Sequence, residues 1–312
     1  MSLEPEHTSI AVISGGKSKE REISLASGKA VAKALKDAGF SVLKVDPASR
    51  NDLAMLLSSD IDVAFLALHG KGGEDGTIQG FLEIAGIPYT GSGVWSSSTA
   101  IDKAKTKELY VKGGIPTPAS VVLDDPRQHS PHELLRILGE DCVIKAATEG
   151  SALGVYICHS EDDVRDALEK VFEIDTVAIG ESFVSGDEFT CAVLGTNESA
   201  RALPLIQIIP ANDFYDFESK YAKGGSQHLC PAPISEEDAH IAQELAEKAH
   251  RVLGCKGVSR TDLIRDEAGR FWVLETNTIP GMTETSLLPD AARAEGMDFT
   301  QLCVALLEEA LA

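Results

Sequence analysis

The stretch with the most defined chemistry runs from Asp262 to Asn277. Asp266–Gly269 reads as a turn, and both flanks are rich in β-formers, so the segment is expected to fold as a hairpin over Leu263–Leu274. Glu275 and Asn277 are two residues apart and share one face of a strand. Closing the hairpin places Asp262 opposite them, give or take one residue of register. Two carboxylates and an amide oxygen form an all-oxygen set. Such a set suits Mg²⁺ or Mn²⁺ bridging to nucleotide phosphates and does not suit zinc. A solvated hairpin is the bland alternative, disfavoured by the apolar residues on either side. Ile279–Pro289 reads as an irregular loop, better suited to ligand contact than to core.

Three glycine-bearing loops add to this. Ser14–Ser24 couples Gly15-Gly16 to a helix start and suits an anion or zwitterion, with Glu20 available to an ammonium; it also reads as an ordinary strand-to-helix turn. Leu68–Gly80 places His69 at a strand end and holds five glycines among the 11 residues from Gly70 to Gly80. The C-terminal edge of a parallel sheet is where such folds bind ligands. Lys145–Gly154 joins a lysine at a strand end to Gly150-Ser151-Ala152-Leu153-Gly154, whose backbone N–H groups suit an anion; a solvated hairpin is again the alternative. Two common nucleotide signatures fail. Gly16-Lys17-Ser18 ends like a Walker A motif, but Ala11 stands where its first glycine belongs. No G-x-G-x-x-G follows the first strand, which removes a dehydrogenase reading.

The elements that must position these groups follow from periodicity. Strands are expected at Ser9–Ile13, Val42–Val45 and Asp62–Leu68, with a helix between the first two that presents Ile23, Ala26, Ala30, Ala34 and Leu35 on one side and stops at Gly39. Strand–helix–strand alternation implies a parallel sheet. A helix over Ser98–Gly113 follows, then strands at Ser120–Leu123, Cys142–Lys145 and Val155–Cys158, and a helix at Asp162–Phe172. Strands at Phe189–Leu194 and Leu203–Ile209, a long loop at Asn212–Gly225, and helices at Glu236–Leu253 and Phe299–Ala310 complete the chain. The fold class is therefore α/β at the start and α+β later. Three units are expected: 1–94, 95–182 and 183–312, the last with the loop 212–225 and the carboxylate hairpin.

The 312 residues carry 28 Lys plus Arg against 49 Asp plus Glu, a net charge of −21. That excludes a generic nucleic-acid binder and an anionic membrane surface as partner. The loop 15–21 and the segment 101–112 are nevertheless each +2, so a small anion held in a cleft remains compatible. No apolar run is long enough for a membrane span, and the polar start with Glu4 and Glu6 does not read as a signal peptide. The six cysteines form no C-x-x-C pair and read as reduced core thiols of a cytoplasmic protein.

Taken in order, these motifs resemble the D-alanine–D-alanine ligases of the ATP-grasp superfamily over about residues 10 to 311. They are Gly15-Gly16 through Ser24, His69-Gly70 through Gly76, Gly91-Ser92-Gly93 through Asp102-Lys103, and Glu149-Gly150-Ser151. Ser185-Gly186 with Glu188-Phe189, Phe214–Tyr221, and Arg260–Asp262 with Glu275, Asn277 and Pro280–Thr283 follow. The resemblance implies an ATP-grasp fold with an N-terminal parallel-sheet (pre-ATP-grasp) domain. It also implies ATP-dependent joining of two D-alanines through an acyl phosphate, for peptidoglycan precursors.

By matched position, the resemblance assigns Lys103 and Lys145 to ATP phosphates and Glu181, Val184 and Glu188 to adenine and ribose. Asp262, Glu275 and Asn277 would hold two Mg²⁺ or Mn²⁺ ions. Glu20 would pair with the first ammonium, with His69 in the substrate region. Arg260 and the Gly281 N–H would face the oxyanion. Lys220, Ser286 and the Leu287 N–H would orient the second carboxylate. Tyr221, on a lid, would join Ser151 and Glu20. A homodimer is implied by the family alone. The sequence departs from the usual pattern at Ala146, Ala152 and Ser182, where proline, serine and lysine are common. The loss at Ala152 removes one hydroxyl contact to phosphate. Relatives that join D-alanine to D-serine or D-lactate are the nearest alternatives, and the lid Phe214–Tyr221 resembles the dipeptide type. A catalytically silent nucleotide-binding protein would lack the metal ligands, which are all here.

Overall fold

The first unit is built on a parallel sheet with order β2-β1-β3. The computed structural model describes residues 3–150, 153–210, 225–283 and 285–312. In it, β1 is Ser9–Ile13, α1 Arg21–Asp37, β2 Ser41–Val45, α2 Arg50–Ser58, β3 Val63–Leu66 and α3 Thr77–Ala85. Ile10–Ile13 are buried without alternation, the pattern of a strand covered on both faces. One face meets Val31 and Leu35 of α1, and Leu302 and Leu306 of the last helix of the chain. The other packs Ala11, Ile13 and Leu66 on Leu56 and Leu82.

The buried stripe of α1 differs from the expected one. Ser24, Ser27, Val31 and Leu35 face inward and Ala26 is exposed. The first turns of α1 lie against the polar loops rather than apolar core. There the Ser24 hydroxyl donates to the Ala67 carbonyl at 2.6 Å and accepts from the Gly15 N–H at 2.8 Å.

The expected single helix before Gly113 is two helices, α4 Val94–Ile101 and α5 Lys103–Gly113. Asp102 breaks the run in an extended conformation and caps α5, its carboxylate accepting from the Lys105 N–H at 3.1 Å. That cap places Lys103 at the first position of α5, facing inward.

Next comes a four-stranded antiparallel sheet, order β4-β7-β5-β6. Its strands are β4 Ser120–Leu123, β5 Cys142–Ala146, β6 Val155–Cys158 and β7 Ala178–Ser182. Helices α6 Pro131–Leu138 and α7 Glu161–Phe172 bury Leu134, Leu138, Val164 and Leu168 with the sheet residues Leu123 and Ile144.

The last sheet has order β11-β10-β8-β12-β13, with β9 beside β8. These are β8 Gly186–Leu194, β9 Arg201–Ala202, β10 Ile206–Pro210, β11 Ser226–Leu229, β12 Val258–Asp266 and β13 Phe271–Asn277. Helix α8, Glu236–Val252, covers one face through Ala242, Ala246 and Ala249. Helices α9, Leu287–Ala294, and α10, Phe299–Leu311, tie this sheet to the first unit. All six cysteines are free thiols, and five are buried. No helix of the described residues is long and apolar enough to cross a membrane.

Candidate active site

The hairpin β12–β13 resolves the open register. Asp262 pairs with Glu275 and Arg260 with Asn277. A bulge follows Asp262: Leu263 pairs with Val273, and Leu274 is the extra residue. Asp262 is gripped at both oxygens by Arg260, Nε and Nη2 each donating at 2.9 Å, and accepts from the Thr190 hydroxyl of β8 at 2.6 Å. Lys103 Nζ stands 3.5 Å from Glu275. Asn277 Oδ1 accepts from the Ile279 N–H at 2.9 Å. On the opposite face, a buried hydroxyl chain fixes the strands: Thr261 meets Thr276 at 2.9 Å, and Thr276 meets Tyr110 at 2.6 Å.

These donors suit a hard divalent cation. They are all oxygens, the two carboxylates are directly opposed, and the positive charge shown beside them is carried by the side chains of Arg260 and Lys103. Among the described residues no group of three or more His, Cys, Asp or Glu side chains is placed to hold a metal; the third donor expected from the sequence is the amide of Asn277, which pairs with Arg260 across the hairpin.

A cavity of about 250 Å³ opens between the two antiparallel sheets. Lys103, Lys145, Glu181, Val184 and Glu188 all line it, together with Asp262 and Glu275. Most of its remaining wall is apolar, with Val143, Ile157, Phe183 and Leu274 among the contributors and Glu149, Ser182 and Ser185 the polar exceptions, a slot for a flat ring system. Lys103 Nζ donates to the Glu149 carbonyl at 2.6 Å, anchoring the glycine loop that follows β5. Glu181 is buried between two lysines, with Lys145 Nζ at 2.8 Å from Oε2 and Lys107 Nζ at 3.2 Å from Oε1. Burial pushes the Lys107 ammonium down to about 8, against the pull of Glu181.

A second cluster lies where α1, the loop after β3 and the loop after β5 converge. Glu20 is only 6% exposed. A Cβ at Gly70 would fall 2.7 Å from its Oε2, and one at Gly150 would fall at 3.1 Å, so two glycines make room for this carboxylate. Gly70 also has a φ of +70°, which favours glycine independently. Lys71 and Glu149 tie the two loops together at 2.9 Å. Arg21, counted above among the local cations, is instead committed to Asp46 at 2.6 Å.

His69 is buried, and burial pushes its imidazole down to about 4, opposed by a backbone hydrogen bond with Ile279. The Met282 N–H donates to Ser27 Oγ at 3.3 Å, and Ser27 Oγ lies 3.2 Å from His69 Nε2. The Ser27 hydroxyl and Nε2 share a hydrogen bond whose direction follows the ring tautomer, and a neutral ring completes the chain. His69 thus pins the Ile279–Met282 loop, which carries Gly281, to α1.

Glu74, to which the sequence reading gave no role, lies beside this cluster. It is enclosed by the glycine loop and accepts from the Gly70 N–H at 2.6 Å. Burial, reinforced by repulsion from Glu20, pushes its carboxyl up to about 8. Its spacing, five residues after His69 in the glycine loop, was the available signal.

The segment Ile279–Pro289 is not wholly irregular. Leu287, Leu288 and Pro289 open α9 and are buried, so they belong to the core. Ser286 is the residue before the helix, and its Oγ accepts from the Thr283 N–H at 3.0 Å. Ser286 makes no side-chain cap to this helix start, whose first N–H groups, Leu287 among them, have no acceptor within the helix. A Cβ at Gly281 would fall 2.8 Å from Ser286 Oγ, so a side chain there would displace that hydroxyl. Ser151, Lys220 and Tyr221, with Ala152 and most of the loop 212–225, lie outside the described residues.

A nucleotide-sized slot between two antiparallel sheets, closed at one end by opposed carboxylates and preceded by a parallel-sheet unit, is the ATP-grasp architecture. The family profile "D-ala D-ala ligase C-terminus" matches residues 109–308, and "D-ala D-ala ligase N-terminus" matches residues 49–92. The chain is 44% identical over 308 residues to a D-alanine–D-alanine ligase of Pelotomaculum thermopropionicum, covering 97% of this chain and 96% of that one. It superposes on a Bacillus anthracis D-alanine–D-alanine ligase complexed with ATP at a TM-score of 0.84, with 33% identity and 97% of each chain covered. The VanG D-Ala:D-Ser ligase of Enterococcus faecalis gives a TM-score of 0.84 at 30% identity, covering 97% of this chain and 99% of that one. The chain belongs to the D-alanine–D-alanine ligase family.

Proposed function

We propose that this chain uses ATP to join two D-alanines into D-alanyl-D-alanine. The observation that carries this reading is the sharing of one cavity by Lys103, Lys145, Glu181 and Glu188 with the opposed pair Asp262 and Glu275. A carboxylate is a poor electrophile. Its attack on the γ-phosphorus of ATP gives an acyl phosphate and ADP. The amine of the second D-alanine then adds to the acyl carbon, and loss of phosphate and an amine proton leaves the amide. The protein's part is alignment and charge compensation.

In this reading Lys103 and Lys145 contact the phosphates, and Glu181, Val184 and Glu188 contact the adenosine. Glu181 supports this role: Oε2 is taken by Lys145 at 2.8 Å, while the buried Oε1 has the Lys107 ammonium at 3.2 Å but accepts no hydrogen bond among the described residues, which leaves it able to accept from an exocyclic amine. Glu20, cradled by Gly70 and Gly150, takes the first ammonium. Arg260 and the Gly281 N–H face the oxyanion, and His69 fixes the loop that presents Gly281. Ser286 and the Leu287 N–H at the α9 terminus receive the second carboxylate with Lys220. Tyr221 and Ser151 complete the set and exclude water. Asp262, Glu275 and Asn277 would hold Mg²⁺ or Mn²⁺, two ions by family resemblance, which neutralise phosphate charge when bound. The units 1–94, 95–182 and 183–312, a homodimer and a cytoplasmic setting belong to the same proposal.

The test is ATP turnover by the purified protein with D-alanine and Mg²⁺, the product identified by mass. ADP formation that depends on D-alanine and yields the dipeptide is expected. Equal phosphate release without D-alanine, or none with it, would sink the reading. D-serine and D-lactate offered as second substrate decide between the dipeptide and its two rivals.

A further inference from the structure

Glu181 sits in the nucleotide slot with a lysine on each side, but the two lysines are not equivalent. Lys145 lines the cavity and can reach a ligand. Lys107 sits on the helix behind, with a side chain only 3% exposed. Its ammonium is held from the far side, donating to Thr117 Oγ1 at 2.7 Å and to the Pro118 carbonyl at 2.9 Å. The same ammonium stands 3.2 Å from Glu181 Oε1, an ion pair rather than a hydrogen bond. Lys107 is therefore held from behind, whereas among the described residues the ion pair of Lys145 is with Glu181 Oε2, at 2.8 Å.

We infer that Lys107 is a positioning residue of the nucleotide site: it is the resident counter-ion of Glu181, aiming that carboxylate at the base and leaving Lys145 free to turn to the phosphates. The inference rests on the nucleotide reading given above. A carboxylate this deeply buried needs a counter-charge at all times. When a triphosphate draws Lys145 away, only Lys107 remains to supply it. The base end and the phosphate end of the slot are thereby coupled through one carboxylate. The chemical class selected is a purine triphosphate with an exocyclic amine, because an ionised Glu181 accepts hydrogen bonds and donates none.

The experiment compares wild type, Lys107→Met, Glu181→Gln and the double variant in the full chain. KM and kcat are measured with ATP and with inosine triphosphate, which carries a carbonyl in place of the amine. D-alanine-dependent ADP formation by wild type comes first, and its absence overturns the functional reading rather than this one. Lys107→Met is expected to raise KM for ATP about tenfold or more and to shrink the preference for ATP over inosine triphosphate, with KM for D-alanine held within about twofold. A merely structural role would lower the melting temperature and kcat and leave the nucleotide preference unchanged, which overturns the inference. In the Glu181→Gln background the carboxylate is gone, so adding Lys107→Met is expected to change KM for ATP by less than about twofold. A further tenfold loss there would overturn it, and this comparison stands even if Lys107→Met alone does not fold.

Discussion

Replacing His69 with glutamine should remove a specific part of the protein's acid sensitivity. The imidazole is 6% exposed and its pKa is depressed to about 4, against 6.5 for an unburied ring. Between those values the unfolded chain binds a proton that the folded chain refuses, so stability falls as pH falls from 6.5 to 4. The full linkage is on the order of 3 kcal/mol, and about 2 kcal/mol of it is lost between pH 7 and pH 4.5. Glutamine keeps an amide able to accept from Ser27 and donate to the Ile279 backbone, but it does not titrate. His250, also buried and depressed to about 4, contributes the same slope to both proteins and cancels in the comparison. Urea unfolding of wild type and His69→Gln at the two pH values gives the difference directly. Wild type should lose about 2 kcal/mol more than the variant across that interval. Equal losses would mean that His69 is not held neutral by burial, and the chain from Met282 through Ser27 would need another explanation.

Glu74 should behave with the opposite sign. Its carboxyl is raised, so the folded protein holds a proton that the unfolded chain has released, and this contribution is lost as pH rises through the folded value of about 8. Glu74→Gln should therefore lose less stability than wild type between pH 5 and pH 8.5 in the same denaturation assay; parallel curves would count against the burial of that charge. Glu275→Gln should lower dipeptide formation by about 100-fold or more while leaving the thermal midpoint near wild type. Unchanged turnover would remove Glu275 from the metal and phosphate site.

The hairpin was legible because strand alternation is strict: residues two apart share a face, and Asp266–Gly269 announces the turn. The register was not, because the bulge at Leu274 adds one residue without a sequence mark. Other misses have local causes. Helix α6 carries a capping box, Ser130 with Glu133, and a proline in its first turn, a start signal inside what otherwise reads as loop. Pro289 makes Ile279–Pro289 look irregular, yet it sits in the first turn of α9, where no backbone N–H is needed. Only one residue of α2, Leu56, is fully buried, so that helix leaves no apolar stripe to detect. Glu74 beside Asp75 looks like a solvated acidic pair; its burial arises only when the loops converge around Glu20.

The lysines of 101–112 show what spacing holds and composition hides. Counted together they give a basic segment. On α5 they separate: Lys103 and Lys107, four apart, share the buried face, while Lys105 and Lys112 are exposed. Each inward cation then meets a carboxylate, Lys103 with Glu275 and Lys107 with Glu181, just as Arg260 meets Asp262 and Lys145 meets Glu181. The slot is therefore not a basic cleft set in an acidic chain; each of these four cations is held by a carboxylate, Glu181 holding two of them. An anionic nucleotide enters such a site by exchanging partners. Cations bound at Asp262 and Glu275 would release Arg260 and Lys103 from those carboxylates, and Lys107 would release Lys145 from Glu181. On this account the net charge of −21 and an anionic ligand do not conflict, because the cations that receive the ligand are held in reserve by carboxylates, each with a substitute counter-ion of its own.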